Sequence, residues 1–343
     1  MIPLCQTLSL LPAPTSEGAP SCLIIDIDLA GGIEQNWPED GVSSLLTLPR
    51  SRVELGVTSQ QYRGRIAVIG ARSGGLGSST GINGEAIVPE LQIAEAAWLG
   101  PQLILAAGLI DEPWVVTGND DWRLRAAAPI FSEAVGWMER SDLGVSGAWS
   151  APREVVTIIA TVTTGEGARF AERNNGKNTT GMLIVRPLPG QPERLTVSLL
   201  GRDGSRGLDS GRDHRAGARI TTALEPVRLG LEALQTWGVD SDIDRTPLGL
   251  STWAEAEMPW SMTAFARLDH SIEDRDDADS SSSTIHGGLT RSTGAMTIIL
   301  GAEHTQRGDS ATSVAGADGL SSQTTAHLIL AVRQGGAVAL SER

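Results

Sequence analysis

Apolar and polar residues alternate along this chain in segments of strand length, and this alternation constrains the fold more than any other feature. Successive side chains of a β-strand point to opposite faces, so residues two apart share a face. In residues 227–233, Leu229 and Leu231 share one face. Arg228 and Glu232 lie on the other. The clearest segments of this kind are 52–58, 63–72, 194–202, 215–221, 227–233, 262–269, 296–303 and 326–333.

These clear segments keep their ionisable side chains on one face. Together with weaker segments they predict about sixteen strands, and no sustained helical period competes with them. A charged side chain that faces hydrocarbon near the bilayer midplane costs about 2–4 kcal/mol, so a membrane barrel must keep its outer face free of charge. We therefore predict an all-β protein, a closed antiparallel transmembrane β-barrel whose apolar face contacts lipid.

Strand lengths and connections favour the same fold. Many segments approach the roughly 9–11 residues that a tilted strand needs to cross a bilayer. Short connections, such as 187–192 and 258–260, alternate with long polar ones, such as 201–213 and 306–323. Short turns on one side and long loops on the other are typical of outer-membrane barrels.

The chain is expected to form one structural unit. We expect residues 1–20 to be a leader or a disordered segment, residues 21–334 to form the barrel, and residues 335–343 to form a C-terminal tail. Closed barrels commonly exceed the usual length of a single domain. Cys5 and Cys22 are too few for a disulfide scaffold and lack the spacing of a metal site.

The charge balance limits the classes of partner. The formal net charge is −14, which argues against a nucleic-acid partner. A barrel of this kind would have outer-membrane lipids and small hydrophilic solutes or inorganic ions as its partners. The chain has no glycine-rich nucleotide loop, and its histidines lack zinc-site spacing. We therefore predict no cofactor and no metal.

Three motifs point to other chemistry. Residues 77–81 match the G-x-S-x-G pattern of a hydrolase around Ser79, but no helical segment follows them, and a flexible loop is the better interpretation. Residues 240–244 resemble the start of a calcium loop, yet Arg245 stands where such a loop needs glycine. An acidic run that begins at Glu273 favours a solvated loop, with loose binding of a divalent ion as the alternative. We predict no catalytic residue.

The segment 111–144 differs from the rest of the chain because it carries aromatic residues and paired charges. A long connection between strands is usually functional or disordered, and the aromatic residues favour an ordered loop. We predict that it folds into the barrel and narrows the passage; an extracellular lid or a surface loop is the alternative. The candidate constriction residues are Trp114, Asp120, Asp121, Arg123 and Arg125.

Six short motifs, taken in their order along the chain, carry a family resemblance. They lie at 50–57, 92–98, 103–114, 139–144, 181–187 and 260–269. Together they resemble the family of phosphate-selective porins O and P. The resemblance implies a sixteen-stranded barrel, commonly trimeric, that passes small solutes and, in some members, anions.

The anion selectivity of that family depends on arginine and lysine side chains that line the lumen. By this resemblance, the candidate pore-lining residues are Arg52, Glu54, Arg63, Arg65, Arg186, Arg215, Arg219, Arg228, Glu232, Arg267, Asp269 and Glu303. Ion selectivity follows the local sign of such rings of charge. Because both signs are present, the sequence leaves the selectivity undecided.

We therefore expect a porin of the cell outer membrane, not an enzyme, that lets small hydrophilic solutes or ions diffuse passively through a water-filled pore. A homotrimer is the expected assembly. Two alternatives stay open. A soluble secreted β-sandwich that binds carbohydrate or protein would turn its apolar faces inward. A hydrolase that uses Ser79 would need a strand before that residue and a helix after it.

Overall fold

The structure is a computed structural model that describes most of the chain. The described residues are 21–38, 43–59, 61–73, 86–168, 176–206, 211–238, 245–275, 277–308 and 322–340. The expected leader at 1–20, the motif around Ser79 and the segment 240–244 lie outside the described residues.

Antiparallel strands make up nearly all of the regular structure in the described part of the chain. The strands are β1 (Ser21–Pro38), β2 (Ser43–Thr58), β3 (Tyr62–Ser73), β4 (Ala86–Leu99), β5 (Leu103–Asp111), β6 (Ser141–Ser150), β7 (Val156–Thr163), β8 (Asn178–Val185), β9 (Thr196–Asp203), β10 (Ser205–Arg206), β11 (Gly211–Arg212), β12 (His214–Leu224), β13 (Val227–Trp237), β14 (Leu248–Met258), β15 (Met262–Ile272), β16 (Ser281–Thr293), β17 (Met296–Arg307) and β18 (Ser322–Leu340). Their sequences are rich in Val, Ile and Thr, as in β7, where β-branched side chains favour the extended backbone.

Sixteen of these strands close into one barrel, in which each strand pairs with its neighbours along the chain; β10 and β11 form a separate two-stranded sheet. The ring closes where β1 pairs with β18, from Ser21 opposite Leu340 to Pro38 opposite Gln323. The prediction of a closed antiparallel barrel of about sixteen strands is confirmed. Because β18 continues through Leu340, the barrel extends past the boundary that we expected at residue 334.

One end of the barrel carries mostly short connections. They span 59–61, 100–102, 151–155, 186–195, 225–226, 259–261 and 294–295, of which 186–195 is the longest. The connections at the opposite end include 112–140, 164–177 and 308–321. This is the expected arrangement of an outer-membrane barrel, with tight turns at one end and long loops at the other.

The outer face of the barrel is apolar. Ile66 is 55% exposed, Leu231 43% and Leu300 59%, and residues of the same kind recur on every side of the ring. A continuous exposed apolar surface of this extent is unsuited to water and is matched by hydrocarbon. Since one closed sheet carries this surface outward, the alternative of a two-sheet sandwich with an apolar interior is wrong.

Helices are few and lie in connections. Helix α1 (Pro113–Asp121) begins with proline, whose fixed backbone angle suits the first helical position, and α2 (Phe131–Ala134) forms a single turn. Both belong to the connection between β5 and β6. Short 3₁₀ helices occur at Pro152–Glu154, Pro192–Arg194 and Ala278–Ser280. No helix among the described residues is long and apolar enough to cross a membrane.

The apolar outer face leads to a prediction about the stability of the barrel. Leu231 lies mid-strand, between Ile220 and Thr252, and Leu224 ends β12 at the barrel rim. We expect Leu231→Arg to lower the free energy of unfolding by about 2–4 kcal/mol and Leu224→Arg by about 0–1 kcal/mol, because the cost of a charge on the lipid face depends on depth. Urea titration of the protein refolded into lipid vesicles measures both. Equal losses would contradict an outer face set in lipid.

Candidate functional site

The connection 112–140, called here the inner loop, lies inside the barrel. Its two ends are tied together where the Glu112 amide donates to the Arg140 carbonyl at 2.8 Å. Trp114 is 0% exposed, and its indole nitrogen donates to a carboxylate oxygen of Glu232 on β13 at 3.1 Å. The predicted inward-folding loop is therefore confirmed, and the lid and surface-loop alternatives are wrong.

Arg219 on β12 fastens α1 to the barrel wall. Its guanidinium donates to Glu232 at 3.0 Å and to the Trp114 carbonyl at 3.1 Å. The same group lies over the Trp114 ring, 4.1 Å from the ring centre, where the cation is attracted to the π face. A Cβ atom at Gly118 would lie 2.5 Å from a guanidinium nitrogen of Arg219, so any larger residue would require the guanidinium to shift from this position.

Aromatic side chains hold the remainder of the inner loop. Trp122 packs against Trp253 of β14 and Phe265 of β15, with ring centres 5.7 Å and 6.0 Å apart. Phe131 and Trp137 meet edge to face at 5.6 Å. Such pairs are worth about 0.5–1.5 kcal/mol each beyond the area that they bury. The loop is thus a fixed part of the interior.

This packing changes the expected nature of the inner face. The alternation predicted polar side chains there, yet Ile159, Met182 and Ile184 point inward and are buried in one apolar cluster with the inner loop. Where the inner loop packs against the wall, the barrel therefore holds apolar contacts instead of water. The sequence does carry the signal, since Ile159 alternates with threonines on the inner face of β7.

Buried ion pairs anchor the long-loop end of the same sector. Asp213 accepts from Arg215 at 2.5 Å and lies 3.1 Å from the Arg202 guanidinium. Arg215 also donates to the Trp137 carbonyl at 3.1 Å. Asp213 and Arg202 were absent from the predicted site. A carboxylate two residues before an inward arginine is the signal that identifies Asp213; Arg202 has no such signal.

A second network joins β2 to β5 on the inner wall. Arg65 lies 2.9 Å from Glu95, 2.8 Å from Asp111 and 3.4 Å from Glu54. Arg63 donates to Glu95 at 2.8 Å. The predicted residues Arg63, Arg65 and Glu54 are brought together, and sequence reasoning missed Glu95 and Asp111, which complete the network.

A third network crosses β15 to β17. Arg267 donates to Asp269 at 2.5 Å and also binds the Pro129 carbonyl of the inner loop. His286 lies 3.5 Å from Asp269 and 3.1 Å from Glu303. The predicted residues Arg267, Asp269 and Glu303 therefore meet through a histidine that was not predicted. Among the described residues, no three His, Cys, Asp or Glu side chains group as metal ligands.

The other predicted residues lie outside these networks. Arg186 pairs at 3.7 Å with Glu154 of a short turn, which places it at the rim. Arg228 donates to the Asp121 carbonyl at 3.5 Å. Arg123 is exposed and reaches Glu193 of another short turn at 3.5 Å. The tip of the inner loop therefore extends to the short-turn end of the barrel.

A pocket of about 360 Å³ separates the inner loop from strands β2 to β4. Arg52 and Gln92 line it from the wall, and Arg125 and Arg140 line it from the loop. Arg52 is paired with Glu54, and Arg125 with Glu133. Burial, together with Arg125 and Arg52, lowers the pKa of Arg140 to about 9, so it carries its charge at neutral pH.

Two carboxyl groups of the inner loop have raised pKa values. Burial raises the pKa of Glu112 to about 7, against the attraction of Arg202, whose guanidinium lies 4.0 Å away. The surrounding protein and the adjacent Asp121 raise the pKa of Asp120 to about 6. Both groups therefore change their charge near neutral pH.

Glu112 makes loop anchoring pH-dependent. Because its pKa rises on folding, its charged form disfavours the folded state above pH 7, and the penalty disappears as pH falls toward the ordinary glutamate value. We expect Glu112→Gln to stabilise the protein by about 1–3 kcal/mol at pH 8 and by little at pH 5. Urea titrations at both pH values measure this, with Glu225→Gln, exposed in a short turn, as the control. An effect of Glu112→Gln on stability that is the same at both pH values would refute it.

Solved structures with a similar fold are outer-membrane proteins. The outer membrane channel DcaP of Acinetobacter baumannii has a TM-score of 0.63 and 10% identity, over 94% of this chain and 100% of that one. Salmonella typhi OmpF, in complex with daunomycin, has a TM-score of 0.63 and 12% identity, over 91% and 97%. The outer membrane protein OmpT of Vibrio cholerae, in trimer form, has a TM-score of 0.61 and 9% identity, over 92% and 100%.

No family model matches the sequence, and no curated protein matches it. At these identities the structural likeness shows the fold. The chain folds as a sixteen-stranded antiparallel barrel of the porin type.

Proposed function

We propose that this protein is a porin of the cell outer membrane, through which small hydrophilic solutes or ions diffuse passively. The observation that carries the proposal is a closed barrel with an apolar outer face, an inner face that carries charged side chains, and a loop that folds into the interior. Inward groups elsewhere reach water, as Asp120 does on the loop and Glu303 on the wall. Chemistry at a reacting centre has no part in this mechanism, and we assign no catalytic residue.

Solutes are sorted by width and by charge. The inner loop, which Trp114, Trp122 and Arg219 hold against the wall, sets the width of the passage. The candidate pore-lining residues of the wall contribute charge in proportion to how far they are unpaired. Arg65 and Arg219 are each surrounded by carboxylates, so their main effect is to hold the wall and the loop in place.

The outer face binds outer-membrane lipids, and three copies associate in the membrane. The trimer form of Vibrio cholerae OmpT supports this assembly. The resemblance to phosphate-selective porins O and P extends the proposal to small anions as solutes. Charges of both signs on the inner face are compatible with small anions as solutes. Conductance measurements decide whether anions pass.

Reconstitution tests the porin function. Protein refolded from inclusion bodies and added to a planar lipid bilayer should produce stepwise increases in conductance, and cell fractionation should place it in the fraction that only detergent extracts. A protein that stays in buffer without detergent, or a correctly folded barrel that gives no conductance steps, contradicts the proposal.

Ion preference should depend on pH through Asp120. Above pH 6 its carboxylate adds negative charge to the passage, and below pH 6 it is neutral, so the cation-to-anion permeability ratio should fall between pH 7.5 and pH 5. Reversal potentials in a KCl gradient measure the ratio. Asp120→Asn should show the low ratio at both pH values, whereas Asp203→Asn, on an exposed strand end, should behave as wild type. A pH response of unchanged size in Asp120→Asn refutes the assignment.

A further inference from the structure

Arg291 is the one charged side chain at an outward position in the short-turn half of the barrel, among the strand residues that the structure describes. It lies on β16 between Met262 of β15 and Ile298 of β17, and Ile298 is 49% exposed on the outer face. Arg291 is itself exposed, and no described carboxylate lies within ion-pair distance of it. An arginine near the end of a membrane-spanning strand extends its guanidinium to the membrane surface.

An exposed tryptophan lies at the same end of the barrel. Trp260 is the middle residue of the short turn 259–261 and is 81% exposed. This turn is joined to β16 where the Ser292 amide, one residue beyond Arg291, donates to the Ser261 carbonyl at 3.0 Å. Tryptophan is enriched at membrane–water interfaces, at the level of the lipid headgroups. Arg291 and Trp260 therefore lie at the headgroup level of the leaflet on the short-turn side.

An apolar groove of about 550 Å³ lies on the outer face beside these residues. Its lining includes Ala254 and Ala266, which pair across β14 and β15. The next outward pair toward the short-turn end is Ala256 and Ala264, so small side chains continue from the groove toward Arg291. A strip of the outer face with little side-chain bulk therefore connects the arginine with the groove.

The depth of the groove fits one leaflet. Its rim includes Leu229, Leu231 and Leu268, which are 41%, 43% and 43% exposed. Ala266 lies four residues along β15 from the partner of Arg291, which is about 13 Å at 3.3 Å per residue. Half of the hydrocarbon core is about 15 Å thick. One acyl chain can therefore reach from the headgroup level at Arg291 into the groove.

Charge decides between a lipid and a second copy of the chain as the occupant of this groove. The outward strand positions described in the short-turn half include no aspartate or glutamate. A second copy that docks through that part of its outer face therefore brings no counter-charge to Arg291. A phospholipid carries a phosphate and an acyl chain on one molecule, and a guanidinium binds phosphate through two parallel hydrogen bonds.

We propose that Arg291, Trp260 and the groove form a binding site for one anionic phospholipid of the short-turn leaflet. Its phosphate binds Arg291, and one acyl chain lies over Ala254 and Ala266. The inference rests on the membrane location in the proposed function, and it adds a lipid site on the face of the wall that is turned away from the passage.

Phosphatidylglycerol and phosphatidylcholine with identical acyl chains form the matched test pair, since their headgroups differ in net charge. Native mass spectrometry of the folded protein, released from detergent at increasing lipid concentration, counts the lipids that stay bound. We expect one phosphatidylglycerol per barrel to bind about fivefold more tightly than phosphatidylcholine, the effect of one arginine on an anionic lipid.

Two variants separate the headgroup contact from the acyl-chain contact. Arg291→Gln should weaken phosphatidylglycerol binding about fivefold and leave phosphatidylcholine unchanged, so that the preference disappears. Ala266→Leu fills part of the groove and should weaken both lipids about tenfold, because it displaces CH₂ groups of the bound chain.

Each variant has a control that makes the same change elsewhere. Arg153→Gln removes an exposed arginine from a short turn at the same end of the barrel, and Ala107→Leu enlarges an outward alanine of β5. Both controls should bind the two lipids as wild type does. Gel mobility before and after heating confirms that each barrel is folded.

Equal binding of the two lipids by the wild type, or an unchanged preference in Arg291→Gln, overturns the inference. Dissociation of an oligomer by Ala266→Leu without a change in lipid binding assigns the groove to a neighbouring copy and also overturns it. Conductance in planar bilayers separates the site from the porin function. A barrel that conducts without preferring phosphatidylglycerol refutes the site alone. A folded barrel that prefers this lipid through Arg291 but does not conduct supports the site and refutes the porin function.

Discussion

Closure of the sheet is the constraint on which the rest of this structure depends. Hydrocarbon offers no partner for backbone N–H and C=O groups, so a sheet that spans it must have no free edge. Pairing of β1 with β18 along their full lengths removes both edges. Once the ring is closed, every strand has one face toward lipid and one toward the interior, and the inner face is free to carry charge.

The inner loop uses that freedom in two ways. In one sector it converts the interior into a packed core, where Trp122 meets Trp253 and Phe265. Elsewhere it lies beside charged side chains of the wall, such as Arg228 and Arg267. Aromatic packing and Arg219 hold the loop against the wall, and in the proposed porin this contact sets the width of the passage. Because the loop occupies part of the interior, the opening of the barrel is smaller. Each unpaired charge then has a greater influence on which solutes would pass.

The sequence alone predicts the barrel well, because the alternation that places apolar residues on the outer face is visible within each strand. Leu229 and Leu231 face lipid through a period of two that needs no knowledge of their neighbours. The inner contacts depend instead on the register of the whole ring. Arg219 and Trp114 are far apart in sequence and meet only after closure, so no local pattern predicts their contact. Glu95, Asp111 and Arg140 were missed for the same reason.

That difference explains why counting lumen charges left the ion selectivity undecided. The sequence predicts a basic lining from Arg63, Arg65 and Arg219, yet in the structure each of them is buried beside carboxylates. Removing one partner of such a pair costs about 3–5 kcal/mol, because it leaves a buried charge uncompensated. These arginines therefore have a structural role: Arg63 and Arg65 hold neighbouring strands together, and Arg219 holds the inner loop to the wall. In the proposed porin, ion selectivity would come from the few charged groups that have no partner in the ion-pair networks, and those groups are identified only when the partners are known.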